Sequence, residues 1–119
     1  MSNPSPRYWA VVPAAGVGRR MGADVPKQYL PLGSRTVLEH TLDALYSEPR
    51  IQGVCVVHGV EDPYWKTLNL QPPRQLFEAP GGRERSDSVL NGILNLLKQA
   101  APDDWVLVHD AAQIGRAHV

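Results

Sequence analysis

Small residues followed by cations make Pro13-Ala14-Ala15-Gly16-Val17-Gly18-Arg19-Arg20-Met21-Gly22 the stretch most able to do chemistry, and Pro26-Lys27 extends it. Alanine and glycine let a backbone come close to a ligand, so its N–H groups can point at phosphate oxygens. Arg19, Arg20 and Lys27 bring three positive charges to the same place. Fixed cations with backbone donors suit a triphosphate whose leaving pyrophosphate gains charge during reaction. Two familiar phosphate loops do not fit. A dinucleotide fingerprint needs G-x-G-x-x-G, yet Met21 stands where the third glycine belongs and Gly22 comes one residue late. A P-loop needs Gly-Lys-Ser/Thr, which does not follow Gly22. Taken alone, the loop reads as a nucleotidyl-transfer cradle or as a glycine turn with solvated arginines.

Two further stretches join it. Gly81-Gly82-Arg83-Glu84-Arg85-Ser86-Asp87-Ser88 is a second glycine loop, in which Arg85 and Asp87 could form an ion pair. Val106-Leu107-Val108-His109-Asp110-Ala111-Ala112 is an apolar run closing on an acid. His40, His58 and His109 lack a second ligand at metal-binding spacing and read as structural.

The elements that must position these residues follow from periodicity. Residues 1–7 read as a loose tail, Tyr8–Val12 as a short apolar strand, and 13–28 as the loop, with one helical turn near Arg19–Met21. Val37, Leu38, Thr41, Leu42 and Leu45 form one stripe, so Thr36–Ser47 is predicted as a helix, opened by a Thr36-x-x-Glu39 capping box and stopped by Pro49. Gly53–His58 is a β-branched run expected to be buried on both faces. A short helix is predicted at 63–70 and a weaker strand at Gln75–Glu78. Glu84–Ala100 is predicted as a helix with Val89, Leu90, Ile93, Leu94 and Leu97 as its apolar stripe, and Trp105–His109 as a buried strand. Strands alternating with amphipathic helices predict an α/β fold with a mostly parallel sheet and helices on both faces. In such sheets ligands bind beyond the carboxyl ends of the strands, and all three stretches fall there.

The chain has 119 residues, 43% hydrophobic, which suits one domain or part of one and argues against disorder. Its 12 basic and 12 acidic side chains cancel, which disfavours nucleic-acid binding and points to a small anionic ligand at the local basic cluster. Cys55 is the single cysteine and reads as an inert core residue, consistent with a cytoplasmic protein. No apolar run approaches the roughly 20 residues that span a bilayer. The start is too short in its apolar part, and too soon interrupted by Pro13, to read as a signal peptide.

Pro13 to Met21 with Pro26-Lys27-Gln28-Tyr29, then Gly81 to Val89, then Val106 to Ala112, resemble the 2-C-methyl-D-erythritol 4-phosphate cytidylyltransferases in order and spacing. The resemblance implies a Rossmann-like nucleotidyltransferase fold. It also implies transfer of CMP from CTP to 2-C-methyl-D-erythritol 4-phosphate, a step of non-mevalonate isoprenoid synthesis. By the same resemblance Arg20 and Lys27 match catalytic cations, and Ala14, Ala15, Gly16 and Gly18 fall in the nucleotide cradle. Gly82 and Ser88 match residues at the cytosine, and Asp110 matches an acid that holds Mg²⁺. A homodimer is implied for the full-length protein. A ribitol-phosphate or other sugar-phosphate nucleotidyltransferase is the alternative enzyme, and a non-catalytic nucleotide-binding module is the alternative of another class.

After Ala112 the family pattern continues with arginine and proline, whereas this chain has Gln113 and then Ile114-Gly115-Arg116-Ala117-His118-Val119. Those six residues are what ATC GGA AGA GCA CAC GTC encodes, a string inside a widely used sequencing adapter. Residues 1–112 are therefore expected to be the N-terminal portion of a single nucleotidyltransferase domain, and 113–119 a non-native tail from adapter read-through. A chain of this length is expected to expose an apolar sheet face and an unpaired edge, to be inactive alone and to aggregate.

Overall fold

The computed structural model describes residues 6–15 and 26–110. The expectations attached to residues 16–25 and to the tail from 111 onward lie outside the described residues.

Strand β1 (Tyr8–Pro13) is followed by a single 3-10 turn at Lys27–Tyr29 and by a two-residue hairpin, β2 (Pro31–Leu32) and β3 (Arg35–Thr36). Gly33 closes that hairpin in the left-handed region at φ 74°, where a side chain would be strained. Helix α1 (Val37–Tyr46) begins where the capping box predicts. The Thr36 hydroxyl accepts from the Glu39 N–H at 3.1 Å, and the Glu39 carboxylate accepts from the Thr36 N–H at 2.8 Å. Its carboxyl end is closed by a residue far away in sequence. The Arg74 guanidinium donates to the carbonyls of Tyr46, Glu48 and Ile51 at 2.6–3.0 Å, which satisfies groups a helix end leaves open.

Strand β4 (Ile51–His58), strand β5 (Gln75–Pro80), helix α2 (Arg85–Leu97) and strand β6 (Trp105–Val108) complete the chain. The sheet runs β5-β4-β1-β6 and every pairing in it is parallel. From β1 the chain steps outward to β4 and β5, then crosses back to place β6 on the other side of β1. The strand order therefore reverses beside β1, and in sheets of this kind the crevice at such a point holds the ligand.

Side-chain alternation divides the core between the two faces. Ala10, Val12, Ile51, Val54 and Val56 face α1 through Leu38, Leu42 and Tyr46. Trp9, Val11, Cys55, Val57 and Ala79 face α2 through Leu96 and Ile93. Each fully buried aliphatic side chain here contributes about 1.5–3 kcal/mol relative to exposure.

Four expectations are corrected. The strand expected to be buried at Trp105–His109 spans Trp105–Val108 and lies at the sheet edge with Trp105, Leu107 and Val108 exposed, since among the described residues it pairs with β1 alone. The segment predicted as a helix at 63–70 holds only a 3-10 turn at Trp65–Thr67. The Asp62 carboxylate accepts from the N–H groups of Tyr64 and Trp65, while Pro72 and Pro73 forbid helical continuation. The buried face of α2 is Ser88, Gly92 and Leu96, spaced by four, with Leu90, Leu94 and Leu97 exposed. Gly92 carries no apolar weight in a pattern count, yet it is the point of closest approach to the sheet. A Cβ there would lie 2.6 Å from Val11 and 2.9 Å from Val57. The predicted stripe was therefore turned away from the true packing face. Arg85 meets Asp110 rather than Asp87, because the Asp87 carboxylate accepts from the Glu84 N–H in the capping box of α2.

Candidate active site

Two successive carbonyls at the end of β4 hold two loops together. Val57 O accepts from the Ala14 N–H at 2.7 Å, and His58 O accepts from the Gly81 N–H at 2.9 Å. The start of the first loop, at Ala14, and the second loop, at Gly81, are thus fixed side by side by one strand end. Their separation leaves no room for a side chain, since a Cβ on Gly81 would fall 2.2 Å from the Ala15 Cβ. The predicted cradle residues Ala14 and Ala15 and the predicted base-site loop are therefore neighbours, as the sequence requires of one site.

Within the second loop the Gly82 N–H donates to the Ser88 hydroxyl at 3.0 Å, and Ser88 is buried. Glu84 caps α2, and Asn91 donates from its side chain to Pro80 O at 2.8 Å, so the loop is tied to the helix at both ends. A Cβ on Gly82 would meet the Asp87 Cβ at 2.3 Å, which makes glycine necessary there too.

The cationic side of the site starts at Lys27, exposed at the head of the 3-10 turn, with Gln28 and Tyr29 buried behind it. The Gln28 amide donates to Ala14 O at 2.6 Å, which ties the lysine segment back to the cradle. Tyr29 stacks on Tyr64 with centroids 5.2 Å apart and donates its hydroxyl to Asp62 at 2.6 Å. Burial first, and then this hydrogen bond and the carboxylate charge, push the Tyr29 phenol far above its usual range, so it stays neutral. Gly16, Gly18 and Arg20, predicted as cradle and catalytic residues, lie outside the described residues.

Asp110 closes the fourth side. The His109 N–H donates to Val11 O at 2.9 Å, which carries the β1–β6 ladder one step beyond the strand and delivers Asp110 to the rim. Its Oδ1 accepts from Arg85 Nε at 3.0 Å and Nη2 at 2.8 Å. Among the described residues no three His, Cys, Asp or Glu side chains gather as a metal cage. His40 Nε2 donates to Leu32 O, and His58 sits between Gly59 O and Glu78 while stacking on Trp65 at 4.5 Å. Cys55 lies in the core, and burial, with a smaller push from the Glu78 charge, raises its thiol to about 12.

Two positioning residues were missed by sequence reasoning. Gln28 lay inside a quoted motif, but nothing in its type marked it as buried. Asp104 accepts from the Arg7 N–H, the Trp9 indole and the Ala101 N–H at 2.8–2.9 Å, and so fastens β6 to β1. Two of these three partners, Trp9 and Arg7, lie 95 and 97 residues away, beyond any local signal.

The family model of 2-C-methyl-D-erythritol 4-phosphate cytidylyltransferase matches residues 8–118. A protein of that name from Pseudomonas entomophila (strain L48) is 54% identical over 114 residues, covering 95% of this chain and 48% of the relative. One from Pseudomonas putida (strain W619) is 56% identical over 109 residues, covering 91% and 46%. A crystal structure of a 4-diphosphocytidyl-2C-methyl-D-erythritol synthase superposes with a TM-score of 0.75 at 33% identity, over 92% of this chain and 48% of that one. The chain spans about half the length of the curated relatives it matches. No helix among the described residues is long and apolar enough to cross a membrane.

Proposed function

The chain belongs to the 2-C-methyl-D-erythritol 4-phosphate cytidylyltransferase family, and from that premise we propose that it forms the nucleotide half of an enzyme joining CTP to 2-C-methyl-D-erythritol 4-phosphate. The observation that carries this reading is the pair of carbonyls ending β4, which hold Ala14 and Gly81 side by side. Gly82 and Ser88 stand beside the tight contact of Ala15 with Gly81, and the proposal sets the cytosine against them. A hydroxyl that accepts from the Gly82 N–H keeps its own hydrogen for an acceptor atom of the base.

In the proposed reaction a phosphate oxygen of the acceptor attacks the α-phosphorus of CTP. The new P–O bond forms as the bond to the bridging oxygen breaks, and pyrophosphate leaves. No protein nucleophile takes part. Lys27 and Arg20 stabilise the charge that spreads over the phosphorus oxygens, and removing either is expected to lower the rate by at least roughly 10²-fold. Arg20→Lys is not conservative, because only the guanidinium offers a planar fork. Asp110, joined by phosphate oxygens of the nucleotide, would hold Mg²⁺. One carboxylate with phosphate oxygens and waters fits a hard octahedral cation, and among the described residues no nitrogen or sulfur cage favours a softer one. The ion, when bound, neutralises phosphate charge and fixes the phosphates for in-line displacement.

The same proposal includes a cytoplasmic, homodimeric protein at the length of the relatives. Pyrophosphate release with CTP tests the reading when 2-C-methyl-D-erythritol 4-phosphate and ribitol 5-phosphate are compared as acceptors. Release with the first and little with the second supports it. The reverse assigns the protein to the sugar-phosphate alternative, and release with neither points to a binding module.

A further inference from the structure

Arg85 occupies an unfavourable place for a cation. It is the first residue of α2, where the helix dipole presents its positive end. The two nearest acids in sequence, Glu84 and Asp87, are both engaged in the capping box of the helix. The Arg85 guanidinium instead reaches across 25 positions and places Nε and Nη2 on a single oxygen of Asp110. The pair bridges the start of α2 to the end of β6 on the rim of the site. The two side chains are 59% and 33% exposed, so ions in solution reach them.

We propose that Arg85 is the resident counter-ion of Asp110 and is exchanged on binding of the metal–nucleotide complex, with the cation going to Asp110 and a nucleotide phosphate to Arg85. This rests on the metal role proposed above for Asp110. The Oδ1 atom that accepts two guanidinium N–H groups is unavailable to a divalent cation, and a guanidinium left against such a cation would be repelled. Once Asp110 is taken, Arg85 has no other ion-pair partner among the described residues. A planar fork beside a helix N-terminus then suits a phosphate. The exchange couples the two ligands: each removes the partner that competes with the other. Arg85 is thereby a positioning residue for the metal and a contact for the nucleotide.

The test uses Mn²⁺ as the probe, followed by loss of the free-ion electron paramagnetic resonance signal. The protein is taken at the length of its relatives, with and without CTP, in the absence of acceptor. In Arg85→Met the nucleotide-free Mn²⁺ affinity should rise about two- to fivefold, the scale of one exposed ion pair removed. The gain in Mn²⁺ affinity on adding CTP should shrink relative to the unsubstituted protein. Nucleotide-free affinity that is unchanged or weaker overturns the proposal. Arg85→Gln provides the same measurement if the methionine variant does not fold. Asp110→Asn separates the two layers. If it binds Mn²⁺ as the unsubstituted protein does, the metal role of Asp110 fails and the exchange with it. If it loses Mn²⁺ while the Arg85 variants are unchanged, the exchange alone fails.

Discussion

Ser88 is buried at the head of α2, yet its hydroxyl is held by a backbone N–H of the loop that precedes it. A residue so placed shapes the loop, and under the proposed function its own hydrogen goes to the base. Ser88→Ala should therefore weaken CTP binding by about five- to tenfold, the value of one hydrogen bond, with thermal stability little changed. Titration calorimetry on the protein at its relatives' length measures it. Gly82, Ser88 and Asp110 are proposed as site residues because each stands in a short motif that resembles the family's. Gln28 could not, since the carbonyl it serves, Ala14 O, is 14 positions earlier and only the folded chain brings them within 2.6 Å. Nor did sequence reveal the partner of Arg85. Asp87, two positions on, is the obvious choice until the capping box is seen to use it.

Helix α2 shows why element type was easier to read than element orientation. Its start was predicted to within one residue and its end ran three residues too far, while its packing face was rotated toward Gly92. Hydrophobic counting rewards Leu90, Leu94 and Leu97 and ignores a glycine, whereas close approach of a helix to a sheet rewards the absence of a Cβ. Gly92→Ala should cost about 1–3 kcal/mol by overpacking against Val11 and Val57, despite the better helix propensity of alanine. Chemical denaturation checks this, and a stabilised variant would disprove the packing argument. Asp104 governs the β1–β6 junction. Its hydrogen bonds from the Arg7 N–H, then from the Trp9 indole and the Ala101 N–H, hold its carboxyl down at about 2. A carboxylate depressed in the folded state adds stability above its unfolded value of about 3.9, and that contribution is lost as pH falls from about 4 toward 2. Asp104→Asn should lower stability at neutral pH and flatten the acid limb of the stability–pH curve in that window.

Across the whole molecule the parallel sheet and its two helical layers were legible from alternating strands and helices, and the rim location of the site followed from that class. The sheet order was not, because it depends on which side of β1 the last crossover returns to. Leu90, Leu94, Leu97, Trp105, Leu107 and Val108 are each more than two-fifths exposed. A set of large apolar side chains on one helix and one edge strand is an association surface in a chain of this length. The 119-residue chain alone should bind 8-anilinonaphthalene-1-sulfonate and self-associate as concentration rises; a monomer that leaves the dye dark would count against this. The account turns on direct transfer of the α-phosphorus at the β4 rim, and labelled nucleotide tests it most directly. With [α-32P]CTP, Mg²⁺ and 2-C-methyl-D-erythritol 4-phosphate, the protein at its relatives' length should place the label on the acceptor, and Lys27→Ala should slow this by at least roughly 10²-fold. Label retained in CTP, label bound covalently to the protein, or an unaffected Lys27→Ala variant would contradict it.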